Sequence, residues 1–294
     1  MRFSLIIVLL SSCCSTAFNA VRGFALPGPV SIRGPSRPRS DLEAASTQQI
    51  PLALQLQFSR EGHVKLPKLL SPAVVKDLNT ELKVYAASRE IEAWQQKVAV
   101  YRDEPFESVK GRYSTIIDCK REVKRYVPSL PFLQHFHVQT PSTTRTKLDL
   151  LPAAAASLLG CSRVRLYQDS LFVKRAGDDV TGWHSDLPLS PWDGNDFVTF
   201  WIPLKDLPKS SPALLYASRS HADFALNFWG AEEDLSGRYI IRDHLPLSVG
   251  DVVAHHGFTL HSSKPSDAGR TAYAVSYVSA GARVRKGFAK EKGR

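Results

Sequence analysis

His184-Ser185-Asp186 sets an imidazole and a carboxylate two residues apart, and a second imidazole, His261, follows within the segment 256–263. In extended chain, positions i and i+2 project to one face, so His184 and Asp186 can meet a single ion. Two histidines and one carboxylate occupy one triangular face of an octahedral ion and leave three adjacent positions open. That is the arrangement expected of non-haem Fe(II) oxygenases, in which a co-substrate and O2 take the open positions. A closed structural zinc site has no use for such a vacancy. Arg270 stands nine residues after His261, at the head of a β-type run. A planar guanidinium can grip a carboxylate bidentately, which suits the far end of a dicarboxylic acid whose keto-acid end chelates iron. Taken singly, an HxD is often a hydrogen-bonded surface pair and an Arg in a turn is often solvated. The ordered set carries the inference: HxD after a Gly-containing turn, a β-rich interval, then His and Arg.

The elements that must position these residues are legible in part. Ser59-Arg60-Glu61-Gly62 reads as a charged turn before a short strand, His63-Val64-Lys65-Leu66. Ser71 suits a helix N-cap and Pro72 the first turn, and Val74, Val75, Leu78, Leu82 and Tyr85 recur at helical spacing, as a core-facing stripe does. A second helix is expected over 152–159, stopped by Gly160. Residues 86–146 yield no assignment, and their HxH pair, His135 and His137, has no third ligand at comparable spacing. From residue 163 the texture changes to short β-type runs at 164–167, 171–174, 197–204, 213–217, 237–242, 251–255 and 271–278, separated by turn clusters such as Trp192-Asp193-Gly194-Asn195. Short strands at this spacing, without intervening helices, argue for a sandwich or jelly-roll barrel and against a parallel α/β sheet.

In this order the motifs resemble the phytanoyl-CoA dioxygenase-like Fe(II)/2-oxoglutarate oxygenases over residues 58–278. Gly62-His63-Val64 through Leu70-Ser71-Pro72 is similar to that family's opening strand and helix, and Tyr167-Gln168-Asp169-Ser170-Leu171-Phe172-Val173-Lys174 to the strand before its metal motif. Gly182-Trp183-His184-Ser185-Asp186 resembles the metal motif, Thr199-Phe200-Trp201-Ile202-Pro203-Leu204-Lys205-Asp206 the next core strand, and Gly250-Asp251 through Ser263 the distal histidine segment. The resemblance implies a mainly β fold, a double-stranded β-helix (jelly-roll, cupin-like) core with flanking N-terminal helices. It implies His184, Asp186 and His261 as ligands of Fe(II), Arg270 with Ser263 as the grip on the distal carboxylate of 2-oxoglutarate, and Gln168, Lys174 and Trp201 as lining of the co-substrate pocket. The implied reaction consumes O2, releases succinate and CO2, and hydroxylates or desaturates a small organic or lipid-like substrate. Iron halogenases of this group resemble the pattern with a small residue in place of the carboxylate, so Asp186 favours oxygenation or desaturation.

Two departures stand off the metal motif. Ser211-Pro212 replaces a customary Gly in a turn, and Ser218-Arg219-Ser220-His221 replaces Pro-Gly-Ser-His. They bear on loop shape and substrate fit, and they leave room for a second reading, a catalytically silent jelly-roll that only binds. Nucleic acid is not an expected partner. The formal charge of +10 comes from the ends, where residues 1–40 and 283–294 each contribute five net positive charges, so the intervening chain is near neutral.

The ends read as an address and a tail. Residues 1–17 have the apolar run and small-residue cleavage site of a signal peptide, and 18–45 begin with an acid-free, Arg/Ser/Pro-rich stretch like a transit peptide. Signal followed by transit resembles the bipartite plastid leader of algae with secondary plastids; a plain secretory signal, leading to secretion or an endomembrane lumen, is the alternative. The oxygenase domain is expected over 50–282 and a basic disordered tail over 283–294. No segment is long and apolar enough to span a bilayer. Cys119 and Cys161 outside the leader form no disulfide framework or zinc spacing and read as small hydrophobes.

Overall fold

The computed structural model describes residues 50–126, 134–137, 148–177, 180–223, 235–265 and 268–286. The signal and transit segments therefore lie outside the described residues, as do the side chains of His135 and His137. Chain order begins with α1 (Leu52–Glu61), β1 (His63–Leu66), α2 (Pro72–Arg102), α3 (Phe106–Arg112), α4 (Ile116–Tyr126), β2 (Gln134–His137) and α5 (Leu150–Leu159). The strands that follow are β3 (Val164–Lys174), β4 (Thr181–His184), β5 (Trp192–Asp193), β6 (Phe197–Pro203), β7 (Leu214–Ala217) and β8 (Ile241–Arg242). The chain closes with β9 (Val252–His256), β10 (His261–Ser263), β11 (Arg270–Ser279) and β12 (Arg283–Val284).

The charged stretch expected as a turn is instead the last turn of α1. Gly62, at φ +80°, closes that helix with its N–H on the Phe58 carbonyl. A Cβ here would sit 2.5 Å from both Thr259 Oγ1 and His221 Nδ1, so close approach as well as backbone hand calls for glycine. The Ser71 hydroxyl accepts from Val74 N–H at the start of α2. That helix runs far beyond the stripe at 74–85, because Trp94, Val98 and Ala99 bury against Val109, Cys119 and Val123 of α3 and α4. The unassigned region 86–126 is thus a helical subdomain whose apolar contacts cross between helices.

The described strands pair antiparallel in a six-stranded sheet ordered β1-β9-β6-β11-β3-β2, a four-stranded sheet ordered β4-β10-β7-β8 and a small β12-β5 ribbon. This is the double-stranded β-helix core with N-terminal helices. Strand alternation gives the large sheet two different faces. Val64, Phe200, Ile202, Ala254, Leu171, Tyr273 and Val275 point outward and bury against α1, α2 and α5 as the main core. The opposite face looks toward the four-stranded sheet, where Trp201, Val253, Ala272 and Ala274 pack against Tyr216 of β7.

Residues 283–286, expected as the start of a disordered tail, are part of this fold. β12 pairs with β5, and the Arg285 side chain donates to the carbonyls of Leu187 (2.8 Å), Pro188 (3.3 Å) and Trp192 (2.8 Å). Its positive charge, read in sequence as a mark of disorder, satisfies the carbonyls of the turn that carries Asp186.

Candidate metal and co-substrate site

One row of side chains across the inner face of the large sheet carries most of the polarity. Register places Gln168 of β3 opposite Ser276 of β11, Ser276 opposite Thr199 of β6, Thr199 opposite His255 of β9, and His255 opposite His63 of β1. Directly opposed residues share a face, so these five project into the interior. Thr199 Oγ1 donates to Asp186 Oδ2 at 2.8 Å and lies 3.0 Å from Ser276 Oγ, and His255 Nε2 lies 3.1 Å from that same carboxylate oxygen. With Oδ2 engaged twice, Oδ1 is turned toward His261, 3.7 Å from its Nε2.

The triad assembles from three different pieces. His184 ends β4 and His261 begins β10, and register sets them opposite each other with ring centroids 4.2 Å apart. Asp186 does not use the strand alternation expected of an extended HxD. Its backbone has turned to φ −78°, ψ −39° and leads into a 3-10 turn, Leu187–Leu189. That turn is pinned by Leu187 N–H to the Gly257 carbonyl at 2.8 Å. Each triad imidazole directs Nδ1 at a carbonyl two residues back, His184 at Gly182 (2.8 Å) and His261 at Thr259 (3.0 Å), which leaves Nε2 for an ion. One ligand atom from each of His184, Asp186 and His261 lies within 4.8 Å of the others, so these residues could hold a metal.

Electrostatics agree with that use. Burial opposes ionisation of Asp186, but His261, the hydrogen bond and charge of His255, and His184 outweigh it and hold the carboxyl well below the usual carboxylate range. His261 is pushed well below its ordinary value, first by burial and then by His184 and His255, so it presents a neutral, ligating nitrogen.

Arg270 is 4% exposed, with one guanidinium N–H on the Pro212 carbonyl (2.6 Å) and its plane over the Trp201 ring (5.2 Å). Among the described residues it has no carboxylate partner. Burial lowers its pKa to about 10, a cost that an anionic ligand would offset. Directly across the strand pair stands Lys174, 1% exposed, whose Nζ donates to Ser263 Oγ (2.9 Å) and to the Lys264 carbonyl (2.7 Å). Ser263 also accepts from Thr181 N–H at 3.3 Å, so its hydroxyl proton remains to be given to a carboxylate. A buried guanidinium, the buried Lys174 and a hydroxyl with a proton to give thus adjoin, a donor set that a carboxylate would fit. With the triad, this donor set fits iron chelated by a 2-oxo acid.

Residues 58–272 match the phytanoyl-CoA dioxygenase (PhyH) family. The chain belongs to that family. As a member with this site assembled, it is a non-haem iron oxygenase dependent on 2-oxoglutarate. No curated protein sequence matches the chain. Solved structures of similar fold include the non-haem alpha-ketoglutarate-dependent carbocyclase SnoK from nogalamycin biosynthesis, at TM-score 0.56 and 20% identity over 82% of this chain and 88% of that one. The epimerase SnoN of the same biosynthesis has TM-score 0.54 and 20% identity over 82% and 86% of the two chains. EvdO2 from Micromonospora carbonacea var. aurantiaca has TM-score 0.55 and 16% identity over 81% and 94%. SnoN has been solved with Fe3+, alpha-ketoglutarate and nogalamycin RO. At these identities the likeness establishes the fold.

The departures from the family pattern now have places. Arg219, where the family commonly has glycine, is exposed and sits at φ +71° with its N–H on the Glu61 carbonyl. Pro212 supplies the carbonyl that holds Arg270. Ser220 Oγ accepts from Leu260 N–H (2.9 Å), one residue before His261, so the altered turn supports the site. Of the residues read as pocket lining, Trp201 and Lys174 meet Arg270, while half-buried Gln168 stands at the far end of the polar row. Trp192 and Phe197 pack with Leu187 and Val278 behind the Asp186 turn.

Thr199, Ser276, His255 and Tyr216 escaped the sequence reading. The available signal was a hydroxyl or imidazole interrupting an apolar strand, as Thr199 does within Phe197–Pro203. Tyr216 is 1% exposed, and its hydroxyl has no hydrogen-bond partner among the described residues. Burial raises it further above the ordinary phenol range than the Arg270 charge can offset. It therefore remains a neutral donor, and a buried donor left unused costs about 1–3 kcal/mol.

Proposed function

We propose that this oxygenase hydroxylates, or desaturates, a small organic or lipid-like substrate, with His184, Asp186 and His261 holding the iron and Arg270 with Ser263 holding the distal carboxylate of 2-oxoglutarate. The observation that carries the reading is the buried Arg270, charged and without a carboxylate partner among the described residues, on the face of the large sheet whose Thr199 and His255 hold Asp186. When bound, iron and 2-oxoglutarate supply the oxidising chemistry, activation of O2 with release of succinate and CO2. The chain's own residues orient and exclude. The carbonyls of Gly182 and Thr259 fix both imidazoles, and Thr199 and His255 fix the carboxylate so that one oxygen faces the ion. Trp201 shields the Arg270 pair from water, where a charge-assisted contact is strongest. A carboxylate at position 186, in place of the small residue of halogenases, supports oxygenation over halogenation.

Substrate-stimulated succinate release, screened across lipid, terpenoid and amino-acid pools, tests the reading. His184→Ala and His261→Ala should abolish it, and succinate release that survives either change refutes the assignment. The order of the leader, an apolar run before an acid-free Arg/Ser/Pro stretch, supports delivery to a plastid. A fluorescent fusion carrying residues 1–45 should enter plastids, and accumulation in the medium or an endomembrane lumen would favour the secretory alternative.

A further inference from the structure

The Tyr216 hydroxyl is one of several buried polar atoms without a hydrogen-bond partner among the described residues, and it is the one packed in a cluster with Trp201. Register places Tyr216 of β7 directly opposite His261 of β10, so the phenol and the imidazole share the interior face. Its ring stacks on His63 at 4.9 Å and 21°, and lies 5.6 Å from His255 and 6.2 Å from His261. His63 cannot swing away, since Nδ1 is bonded to His244 Nε2 and Nε2 to Ser218 Oγ, both at 2.9 Å. On its other side the phenol packs in the cluster with Trp201, Ala272 and Ala274, the same Trp201 that faces the Arg270 guanidinium. A phenylalanine would fill this volume equally well without burying an unused hydroxyl. The hydroxyl feels the charges of both Arg270 and Asp186.

We propose that Tyr216 is a further co-substrate-binding residue, donating its hydroxyl proton to the carboxylate that Arg270 holds. Arg270 spends one N–H on the Pro212 carbonyl and Ser263 can give one proton, while a carboxylate accepts at about four sites. Tyr216 fills one of the remaining acceptor positions from the four-stranded sheet, so that both sheets close on the ligand. The stack on His63 fixes the phenol before the ligand arrives, which spares the ordering cost on binding. This inference rests on the 2-oxoglutarate reading of the site.

The test compares wild type with Tyr216→Phe, which deletes only the oxygen, against two ligands on anaerobic Fe(II)-loaded or Ni(II)-substituted protein. One ligand is 2-oxoglutarate. The other is 2-oxobutanoate, which keeps the chelating end and lacks the distal carboxylate. Affinities are read by calorimetry and, for iron, by the visible charge-transfer band of the chelate. Tyr216→Phe should weaken 2-oxoglutarate by about tenfold or more, as loss of a hydrogen bond to a charged group does, and leave 2-oxobutanoate and the metal affinity unchanged. Equal weakening of both ligands, or of neither, overturns the proposal, since the first places the hydroxyl at the chelating end or in the scaffold and the second makes it idle. Wild-type protein that fails to bind 2-oxoglutarate overturns the reading of the site itself, a different outcome from wild type that binds and a variant that matches it.

Discussion

Replacing Arg270 by methionine separates a binding arginine from a structural one. In the ligand-free protein the guanidinium is 4% exposed and burial pulls its pKa from the ordinary 12.5 to about 10. At about 1.4 kcal/mol per tenfold, keeping that charge buried costs the folded state about 3 kcal/mol. Against this, methionine gives up the bond from the charged guanidinium to the Pro212 carbonyl, about 1.5–3 kcal/mol, and the stack on Trp201, about 1 kcal/mol. The terms nearly cancel, so Arg270→Met without ligand should unfold in urea within about 1 kcal/mol of wild type. An arginine whose role is a buried structural pair would lose about 3–5 kcal/mol. Co-substrate binding should respond in the opposite way. Losing a desolvated charge pair costs about 2–5 kcal/mol, so 2-oxoglutarate affinity should fall by about two orders of magnitude or more. Saturating 2-oxoglutarate, at about 100 times Kd, should raise wild-type stability by about 2.7 kcal/mol and leave the variant unmoved. A variant that loses 3 kcal/mol without ligand, or binds 2-oxoglutarate as wild type does, would refute the reasoning.

Thr199→Val keeps the shape of the strand and removes the hydroxyl from Asp186 Oδ2; Fe(II) or Co(II) affinity should drop about tenfold, as outer-shell losses do, and unchanged affinity would show that His255 suffices. Arg219→Gly relieves a left-handed backbone at an exposed position and should stabilise the fold by about 1 kcal/mol in urea unfolding, while a destabilised variant would mean that the Arg219 side chain outweighs the strain. Acid should destabilise the protein through its buried histidines. Burial holds His63 at about 3, and His244 and His256 at about 4, each below its ordinary 6.5. As pH falls from 6.5 toward 4 the unfolded chain takes protons that the folded one refuses, so the urea midpoint should be flat above about pH 7 and decline below it. A midpoint that rises on acidification would contradict this.

What the sequence determined by itself is the choice of candidate groups. His184, Asp186 and His261 with Arg270 downstream state a chemistry through residue type and order, and strand periodicity states the fold class, because both are written in short local patterns. Tertiary structure decided how those groups are aimed. Asp186 reaches the two imidazoles through a turn fastened by Gly257 and Arg285, both far away in the chain, and its second oxygen is tied by Thr199 and His255 across two strands. The helices between 86 and 126 are held by contacts between helices, and which helix meets which is set by packing. A threonine in an apolar strand, a tyrosine in another strand and an arginine in a basic tail look incidental in one dimension. Their roles come from register, which sets residues far apart in sequence on one inner face, and register between distant strands is a property of the packed sheets and not of any local segment.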